Sequence, residues 1–372
     1  MEIEVVGLLE NKSEMKKKMK IFVAMFEEHA HNDGNPFVST LEDAISAKHD
    51  GVEFCSVKER FWKEDDWDIV HIMWPDCFAP YVQEGYDLRK RLQELKAKGV
   101  KLMATVHNLT SNFEDEYKRM CYDIVYPEVE IMIHLWTYSK EVMEQQYPSC
   151  KHVIIPHHVY DTYYTKPLLT KNEALKYFHY RDGVYALAFG WFRNGNERNL
   201  ILEAAKSCPD IKFLAPRFLD IPHGTIDKRW IKQRLKWVYY RIFYPNLYLS
   251  GKKFITDEEL PMYYAIADIS FIQRVEILNS GNVPLGMLMG KVIVGPNLGN
   301  VGAVLKDTAN CVFDPTDKES VKKALRDALK FVHENKGAKN REYALQEWNT
   351  ERVAELQYAV YESCMEKKSN SI

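Results

Sequence analysis

The chain has 372 residues, of which 46% are hydrophobic, with a formal net charge of −3 and seven cysteines that form no C-x-x-C pair. This length predicts two domains, the charge argues against a nucleic-acid binder, and the scattered cysteines favour reduced cytosolic thiols over a zinc site. No apolar run approaches the roughly 18 to 20 residues of a membrane span and no signal-peptide pattern opens the chain, so we expect a soluble, cytoplasmic protein.

Short apolar runs alternate with amphipathic segments through the first half of the chain. Strands are predicted at residues 20–26, 52–57, 67–73, 101–106, 130–135 and 152–155, and helices at residues 37–48 and 86–98. This alternation is typical of a parallel α/β sheet. A polar stretch at residues 161–171 predicts a linker, so we expect the first domain to span residues 18–165.

The alternation restarts after the linker, which predicts a second α/β domain at residues 166–340. Strands are expected at residues 184–189, 211–215, 267–272, 291–295 and 311–313, and helices at residues 199–207, 318–336 and 341–367. Two such domains joined by one short linker leave a cleft between them. Ligands of parallel sheets bind outside the carboxyl ends of the strands, so a ligand is expected in that cleft.

Asn279, Ser280 and Gly281 come directly before a predicted helix of the second domain. Pro284 is tolerated only in a first helical turn, and Asn and Ser are good N-caps, so the helix should begin at this point. Its first turn would present free N–H groups and a positive dipole end to the cleft, which suits a phosphate. An ordinary strand-loop-helix unit is the alternative.

A basic loop follows the strand predicted at residues 184–189. It begins at Gly190 and carries Arg193 and Arg198, whose planar donors match the oxygens of a phosphate pair. Solvated surface arginines are the alternative for either residue alone, but two phosphate-facing devices in one domain favour a diphosphate ligand. No G-x-G-x-x-G follows the first strand and no P-loop motif occurs, so neither a standard dinucleotide site nor a P-loop ATPase is predicted.

Several stretches resemble the GT-B glycosyltransferases of family 4. FGWFRNGNERNLILEAA is similar to the diphosphate-binding strand, loop and helix of that family, and EILNSGNVPLGMLMGKVIVGPNLGNVGAVL to its segments around the nucleotide-sugar. In the first half, ATVHNLTS resembles the strand end whose histidine faces the transferring sugar, and IPHHVY the segment that closes the first domain. The resemblance implies two doubly wound, Rossmann-like domains facing a central cleft, with the helix at residues 341–367 packing on the first domain.

The resemblance also implies roles for individual residues. His107 would lie near the donor sugar at the reacting centre, and Glu276 near the sugar hydroxyls, although a core histidine is the alternative for His107. Contacts to the donor diphosphate are implied for Gly190, Arg193, Arg198, Asn279, Ser280 and Gly281. In the loop after the first strand, the candidates for acceptor or phosphate contact are Asp33, Gly34 and Asn35, which a plain turn explains as well.

The chain departs from the family pattern at several positions. Leu285 stands where relatives carry the glutamate that grips the nucleotide ribose, and Glu276 is one residue out of register for the other glutamate of that pair. Asn196 occupies a position at which the family usually has a basic residue, and Arg198 could supply the missing positive charge. We therefore expect the donor fold to be kept, with ribose recognition and the sugar contacts altered.

The activity that the resemblance implies is transfer of a sugar from a UDP- or GDP-linked donor to a glycan or lipid-linked glycan in surface polysaccharide biosynthesis. The implied reaction retains the anomeric configuration and requires no metal ion and no cofactor. A nucleotide-sugar epimerase on the same fold and a non-catalytic nucleotide-sugar binding protein are the alternatives. An epimerase needs acid/base carboxylates on either side of the sugar, and the sequence offers no convincing pair.

A basic aromatic stretch at residues 228–243 (KRWIKQRLKWVYYRIF) has six basic residues and no acidic one. It is typical of an interfacial helix on anionic lipid, which would suit an enzyme with a lipid-linked acceptor and a peripheral position on the inner face of a membrane. A surface helix that buries its aromatic side chains against the second domain is the alternative.

Overall fold

The computed structural model describes residues 18–26, 35–166, 169–221, 228–251 and 254–369, which form two six-stranded parallel sheets. The first sheet contains β1 (Met19–Ala24), β2 (Val52–Cys55), β3 (Ile69–Ile72), β4 (Lys101–Val106), β5 (Ile131–His134) and β6 (Lys151–Ile154). The second contains β7 (Val184–Leu187), β8 (Ile211–Leu214), β9 (Leu247–Tyr248), β10 (Ile269–Phe271), β11 (Val292–Pro296) and β12 (Cys311–Phe313). All the predicted strands are present, and β9 is an addition.

Helices cover both sheets. Those of the first domain are α1 (Phe37–Lys48), α2 (Lys58–Lys63), α3 (Ala79–Gln83), α4 (Leu88–Ala97), α5 (Glu116–Glu128) and α6 (Thr137–Gln146). They are followed by α7 (Lys171–Phe178), α8 (Gly195–Ser207), α9 (Lys228–Phe243), α10 (Glu259–Ile266), α11 (Asn282–Leu288), α12 (Gly299–Asp307), α13 (Lys318–His333), α14 (Lys336–Glu347) and α15 (Thr350–Ser369). No helix within the described ranges has both the length and the apolarity that a bilayer span requires.

Each sheet reverses its winding direction once. The first has the strand order β2-β1-β3-β4-β5-β6 and reverses between β1 and β3, while the second has the order β12-β11-β10-β7-β8-β9 and reverses between β7 and β10. At such a switch point, the loops after two neighbouring strands diverge and open a crevice at the carboxyl edge. The topology therefore singles out two crevices, one in each domain.

The C-terminal segment was expected as one helix over residues 341–367, and that prediction is wrong in one respect. The chain forms two helices, α14 and α15, which are separated at Trp348 and Asn349. Asn349 Oδ1 accepts from Arg352 N at 2.8 Å, and Thr350 Oγ1 donates to Asp161 at 2.6 Å. A side chain that accepts a hydrogen bond from a first-turn N–H group marks the start of a new helix. Asn349 is therefore a capping signal in the sequence, and it predicts the break between α14 and α15.

The last helix returns to the first domain, as the fold prediction requires. α15 packs against α1, where Lys48 forms an ion pair with Glu351 at 3.2 Å and the ring of His49 stacks on Tyr358. α14 packs against α11 of the second domain. One cluster of buried apolar side chains also includes residues of both domains, among them Ile21 of β1 and Leu285 of α11. The two domains therefore share a packed surface.

A buried polar seam lies between β3, β4, α1 and α15. His71 hydrogen-bonds Tyr361 Oη at 2.7 Å through Nδ1 and Thr105 Oγ1 at 2.8 Å through Nε2. Burial lowers the pKa of His71 to about 3, so the ring is neutral there. In the same region, Glu42 Oε1 is buried with no hydrogen-bond partner among the described residues, and burial raises the pKa of Glu42 to about 8.

The raised pKa of Glu42 predicts that Glu42→Gln stabilises the chain at pH 7.5 and not at pH 4.5. Between its ordinary pKa of 4.5 and about 8, the folded state holds a proton that the unfolded state has released, so stability falls as the pH rises through this window. A neutral amide removes that loss, so the variant should gain about 2–4 kcal/mol at pH 7.5. The free energy of unfolding in urea at the two pH values measures the gain.

The matched control is Glu362→Gln, because Glu362 is exposed on α15. This variant should have the same free energy of unfolding as the parent chain at both pH values. Equal stabilities of the parent and Glu42→Gln at pH 7.5 would show that the Glu42 carboxylate is solvated.

Candidate functional site

The carboxyl edges of the two sheets meet at Asn279, in the loop after β10. Its Nδ2 donates to Val106 O at 3.1 Å and to His107 O at 2.8 Å, at the end of β4. Its Oδ1 accepts from Asn300 Nδ2 at 2.8 Å, and Asn300 in turn bonds both the backbone N and the Oγ of Ser139 in the first domain. This amide chain joins the carboxyl edges of the two sheets.

The wall contributed by the first domain is built from aromatic rings. His107 stacks on Trp74, with ring centroids 4.5 Å apart, and meets the ring of Phe37 edge-on at 5.0 Å. Trp74 follows β3 and Phe37 begins α1, so two side chains at the carboxyl edge of the sheet fix the imidazole. His107 is half-buried at the junction of the two domains.

The loop after β1 reaches the same region. Asn35 Oδ1 accepts from Tyr160 Oη at 3.3 Å, and Tyr160 Oη hydrogen-bonds His157 Nε2 at 3.2 Å. Asp33 and Gly34, the other two candidates in this loop, lie outside the described residues. Of the three predicted contacts in this loop, Asn35 is therefore placed beside the meeting point of the domains.

The backbone of Gly281 approaches this cluster from the second domain. A Cβ at Gly281 would lie 3.1 Å from Tyr160 Oη and 3.7 Å from His157 Nε2, so the absence of a side chain allows the close approach. Gly281 is the N-cap residue of α11, and Ser280 Oγ accepts from Asn282 N at 3.3 Å. The start of α11 thus faces the first domain.

The second wall of the crevice lies at the switch point between β7 and β10. Gly190 follows β7, and a Cβ there would lie 2.9 Å from Arg274 Nη2, 3.0 Å from Gln273 Nε2 and 3.5 Å from Asn282 Nδ2. Gln273 donates to Gly190 O at 2.8 Å. Three segments therefore meet here: the Gly190 loop, the residues that follow β10, and the first turn of α11.

Positive charge exceeds negative charge at this switch point. Arg274 Nη1 donates to the buried carboxylate of Glu197 at 2.7 Å and to Trp191 O at 2.5 Å. The pKa of Arg274 is lowered, first by burial and next by the charge of Arg193, with a smaller effect from Arg217. Three guanidinium groups against one carboxylate leave two positive charges, which is the charge that a bridging diphosphate neutralises.

Arg193 lies in the Gly190 loop, whereas Arg198 lies in the first turn of α8. Arg193 has an exposed side chain that forms no ion pair with the described residues, and its backbone N donates to Glu197 at 2.7 Å. Arg198 donates to Asn194 O at 3.3 Å and to Phe192 O at 3.4 Å, so in this conformation it braces the loop. Arg193 is the freer of the two to contact a ligand.

Two other candidates have no side-chain hydrogen bond or ion pair with the Gly190 loop, Gln273 or Arg274. The side chain of Asn279, predicted to contact the diphosphate, is used in the link between the domains described above. Glu276 is exposed and forms no ion pair with any described residue. Ser280 lines a cavity of about 40 Å³ between the domains, together with His157 and Trp136.

Sequence reasoning missed Arg274 and Gln273, which lie at the centre of the crevice. Both directly follow the buried run of β10, as Gly190 follows β7. A polar pair just beyond a buried parallel strand is the signal that singled out the Gly190 loop, and it could have singled out these two residues as well.

Solved structures with low sequence identity share this fold. Sucrose-phosphate synthase from Thermosynechococcus elongatus is 14% identical, with a TM-score of 0.64 over 94% of this chain and 100% of that chain. HepE from Anabaena, solved in complex with UDP, is 11% identical, with a TM-score of 0.65 over 93% and 100%. The α,α-trehalose 6-phosphate synthase from Burkholderia multivorans is 11% identical, with a TM-score of 0.55 over 90% and 81%.

No family model matches the chain, and no curated protein matches its sequence. The structural neighbours are GT-B glycosyltransferases, and the two parallel, Rossmann-like sheets of this chain are those of the GT-B fold. The predicted fold class is therefore confirmed. Membership of family 4 stays a prediction.

The geometry predicts that Gly190→Ala weakens binding of a nucleoside diphosphate by about tenfold or more. The new methyl group would lie 2.9 Å from Arg274 Nη2 and force the guanidinium out of the crevice, and a charge-assisted contact contributes about 1.5–3 kcal/mol. Isothermal titration calorimetry with UDP and GDP measures the change in Kd.

Gly195→Ala, at the start of α8 directly after the loop, is the matched control, because a Cβ at Gly195 meets nothing within 4 Å. Its Kd should equal that of the parent chain. Equal losses in the two variants would point to a general disturbance of the loop, and no loss in either would place the diphosphate elsewhere.

Proposed function

We propose that this protein is a glycosyltransferase that takes its sugar from a nucleoside diphosphate sugar. The observation that carries the proposal is the switch-point crevice of the second domain, where guanidinium charge exceeds carboxylate charge. The loop that leaves this crevice bonds His107 O of the first domain through Asn279. Ligands of doubly wound sheets bind at such points, and a diphosphate matches the charge. HepE, which shares this fold, was crystallised in complex with UDP, and this supports a nucleoside diphosphate sugar as the donor here.

In the proposed reaction, the protein's main task is to stabilise charge on the leaving diphosphate. As the bond between the sugar and the diphosphate breaks, negative charge grows on the oxygen that stays with the nucleotide. Arg193 and Arg274 would bind that oxygen and its neighbours, and N–H groups at the start of α11 would contribute further donors. Because these groups are held before the reaction begins, they cost little reorganisation in the transition state.

His107 would act on the sugar side of the same bond. Its ring is clamped between Trp74 and Phe37, so its orientation is fixed before a substrate arrives. A positioned imidazole at the reacting carbon can donate a hydrogen bond to a sugar hydroxyl and hold the sugar in line with the acceptor. In our proposal, the first domain therefore supplies orientation and the second supplies charge.

The finer features of the reaction follow from the family resemblance. We propose a retaining transfer that uses no metal ion, with guanidinium groups in the place of a cation, to a glycan or lipid-linked glycan of surface polysaccharide biosynthesis. Contact with a membrane through residues 228–243 would bring a lipid-linked acceptor to the crevice.

Incubation with a panel of UDP- and GDP-sugars tests the proposal. We expect at least one donor to raise the melting temperature and to release free nucleoside diphosphate, slowly with water and faster with acceptor. Interconversion of the sugars without release would make the protein an epimerase. Binding without turnover in the presence of acceptors would make it a non-catalytic binding protein.

His107→Ala should lower kcat for release of nucleotide by about 100-fold or more, with a smaller change in the Kd for the nucleotide alone. The orienting group is lost in this variant, whereas the diphosphate contacts remain. The control is His333→Ala, because His333 is exposed at the end of α13. If His107→Ala kept both its turnover and its melting temperature, His107 would have no role at the reacting centre.

A further inference from the structure

Helix α9 is attached to the outer edge of the second domain by one face only. Trp237 Nε1 donates to Leu249 O at 3.3 Å, and the ring of Tyr240 meets Phe218 at 5.0 Å. Trp230 also belongs to the partly buried side chains of this face. None of the residues of α9 is fully buried, so the helix rests on the domain without being enclosed by it.

The opposite face of α9 is apolar and exposed. Its side chains recur every three or four residues, the spacing of neighbours on one side of a helix. Leu235 and Ile242 are each 66% exposed, and the stripe consists of Ile231, Leu235, Val238, Tyr239, Ile242 and Phe243. Isolated apolar residues are normal on protein surfaces, but a continuous stripe along a 16-residue helix marks an interaction surface.

Basic side chains border this stripe on both sides. At about 100° per residue, Lys232 and Lys236 project to one side of it and Arg234 and Arg241 to the other. The two arginines rest on the rings of Trp230 and Trp237, at 5.2 and 5.1 Å from the ring centres. Of the six basic residues of α9, Arg229 is the one that forms an ion pair with a described residue, Asp220.

A polar pocket of about 600 Å³ lies beside the helix, on the side of Arg241. Arg181 and His179, from the segment after α7, share its lining with Arg241 and the rings of Trp237, Tyr180 and Tyr248. No acidic residue in the described part of the chain lines it. The pocket can therefore accept an anionic group that lies next to the apolar stripe.

We propose that α9 docks this protein on a membrane of anionic phospholipid. The apolar stripe enters the boundary between headgroups and acyl chains, the flanking cations contact lipid phosphates, and the pocket beside Arg241 takes the phosphate of one headgroup. The inference names the lipid for the membrane contact of the proposed function and rests on that contact. It does not depend on the chemistry of transfer.

The chemistry of the surface favours lipid over other partners. Aliphatic side chains of Ile, Leu and Val flanked by Lys and Arg are typical of helices that lie in the membrane interface. Six basic residues without an acidic one would repel a second copy of the same surface. Each Lys or Arg near an anionic membrane is attracted to it, so the several cations of α9 add to the insertion of the stripe.

Docking through α9 would also place the crevice near the lipid. Tyr240 contacts Phe218, and Phe218 contacts Phe192 at 5.1 Å, within the Gly190 loop. Arg198 ties the same loop through Phe192 O. The membrane-facing helix and the donor loop are thus separated by a single layer of aromatic side chains, which keeps a lipid-linked acceptor within reach of the crevice.

Sedimentation of the full chain with vesicles tests this inference. Binding to vesicles of phosphatidylcholine mixed with phosphatidylglycerol should be at least about tenfold tighter than to phosphatidylcholine alone. Leu235→Glu should abolish most of the binding, whereas Leu356→Glu, an exposed leucine on α15, should bind like the parent chain. Melting temperatures of both variants check that the fold is intact.

Two further comparisons test the parts of the surface. Arg181→Gln should weaken binding to the anionic vesicles about threefold and leave the weak binding to phosphatidylcholine unchanged. Soluble glycerol phosphate should not displace the protein from vesicles, and displacement would show that the pocket binds free phosphate and that the stripe does not insert.

The outcomes separate this inference from the proposed function. No binding to either vesicle would overturn the inference and the membrane contact, while transfer to a soluble acceptor would still test the glycosyltransferase. Equal binding to both vesicles would keep the membrane contact and overturn the preference for anionic lipid. Unchanged binding of Arg181→Gln would remove the pocket from the docking surface.

Discussion

The side-chain amide of Asn279 connects the carboxyl edges of the two sheets, and the candidate site depends on that connection. Its hydrogen bonds to Val106 O and His107 O are made to backbone groups at the end of β4. Asn300 fixes the other end of the amide and reaches Ser139 across the same junction. With the edges joined in this way, the start of α11 lies beside Tyr160 and His157 of the first domain.

The electrostatics of the crevice follow from the burial of Glu197. Its carboxylate neutralises part of the charge of Arg274, which lets a guanidinium sit at a largely buried position without a ligand. Arg193 and Arg217 add charge that this single carboxylate does not balance. The crevice therefore keeps an excess of positive charge, and the missing side chain at Gly190 leaves room for the Arg274 guanidinium.

Much of the fold could be predicted from the sequence, because buried parallel strands are short apolar runs and the chain alternates them regularly with helices. The strand at residues 101–106 and the helix at residues 37–48 have the predicted bounds. The candidate site was less predictable. Arg274 is held by Trp191 O in the loop after β7 and by Glu197 of α8, and Asn279 bonds backbone groups of the other domain. Both residues therefore depend on long-range contacts that local patterns do not contain. The break at Asn349 was visible as a capping signal.

The position of a bound nucleoside diphosphate in a crystal structure of this chain tests the central claim most directly. We predict that its two phosphates lie between the Gly190 loop and the start of α11, with Arg274 and Arg193 in hydrogen-bonding range and His107 facing the terminal phosphate across the junction. A diphosphate bound away from the switch point of β7 and β10, or on the side of the second domain that faces away from His107, would contradict the account.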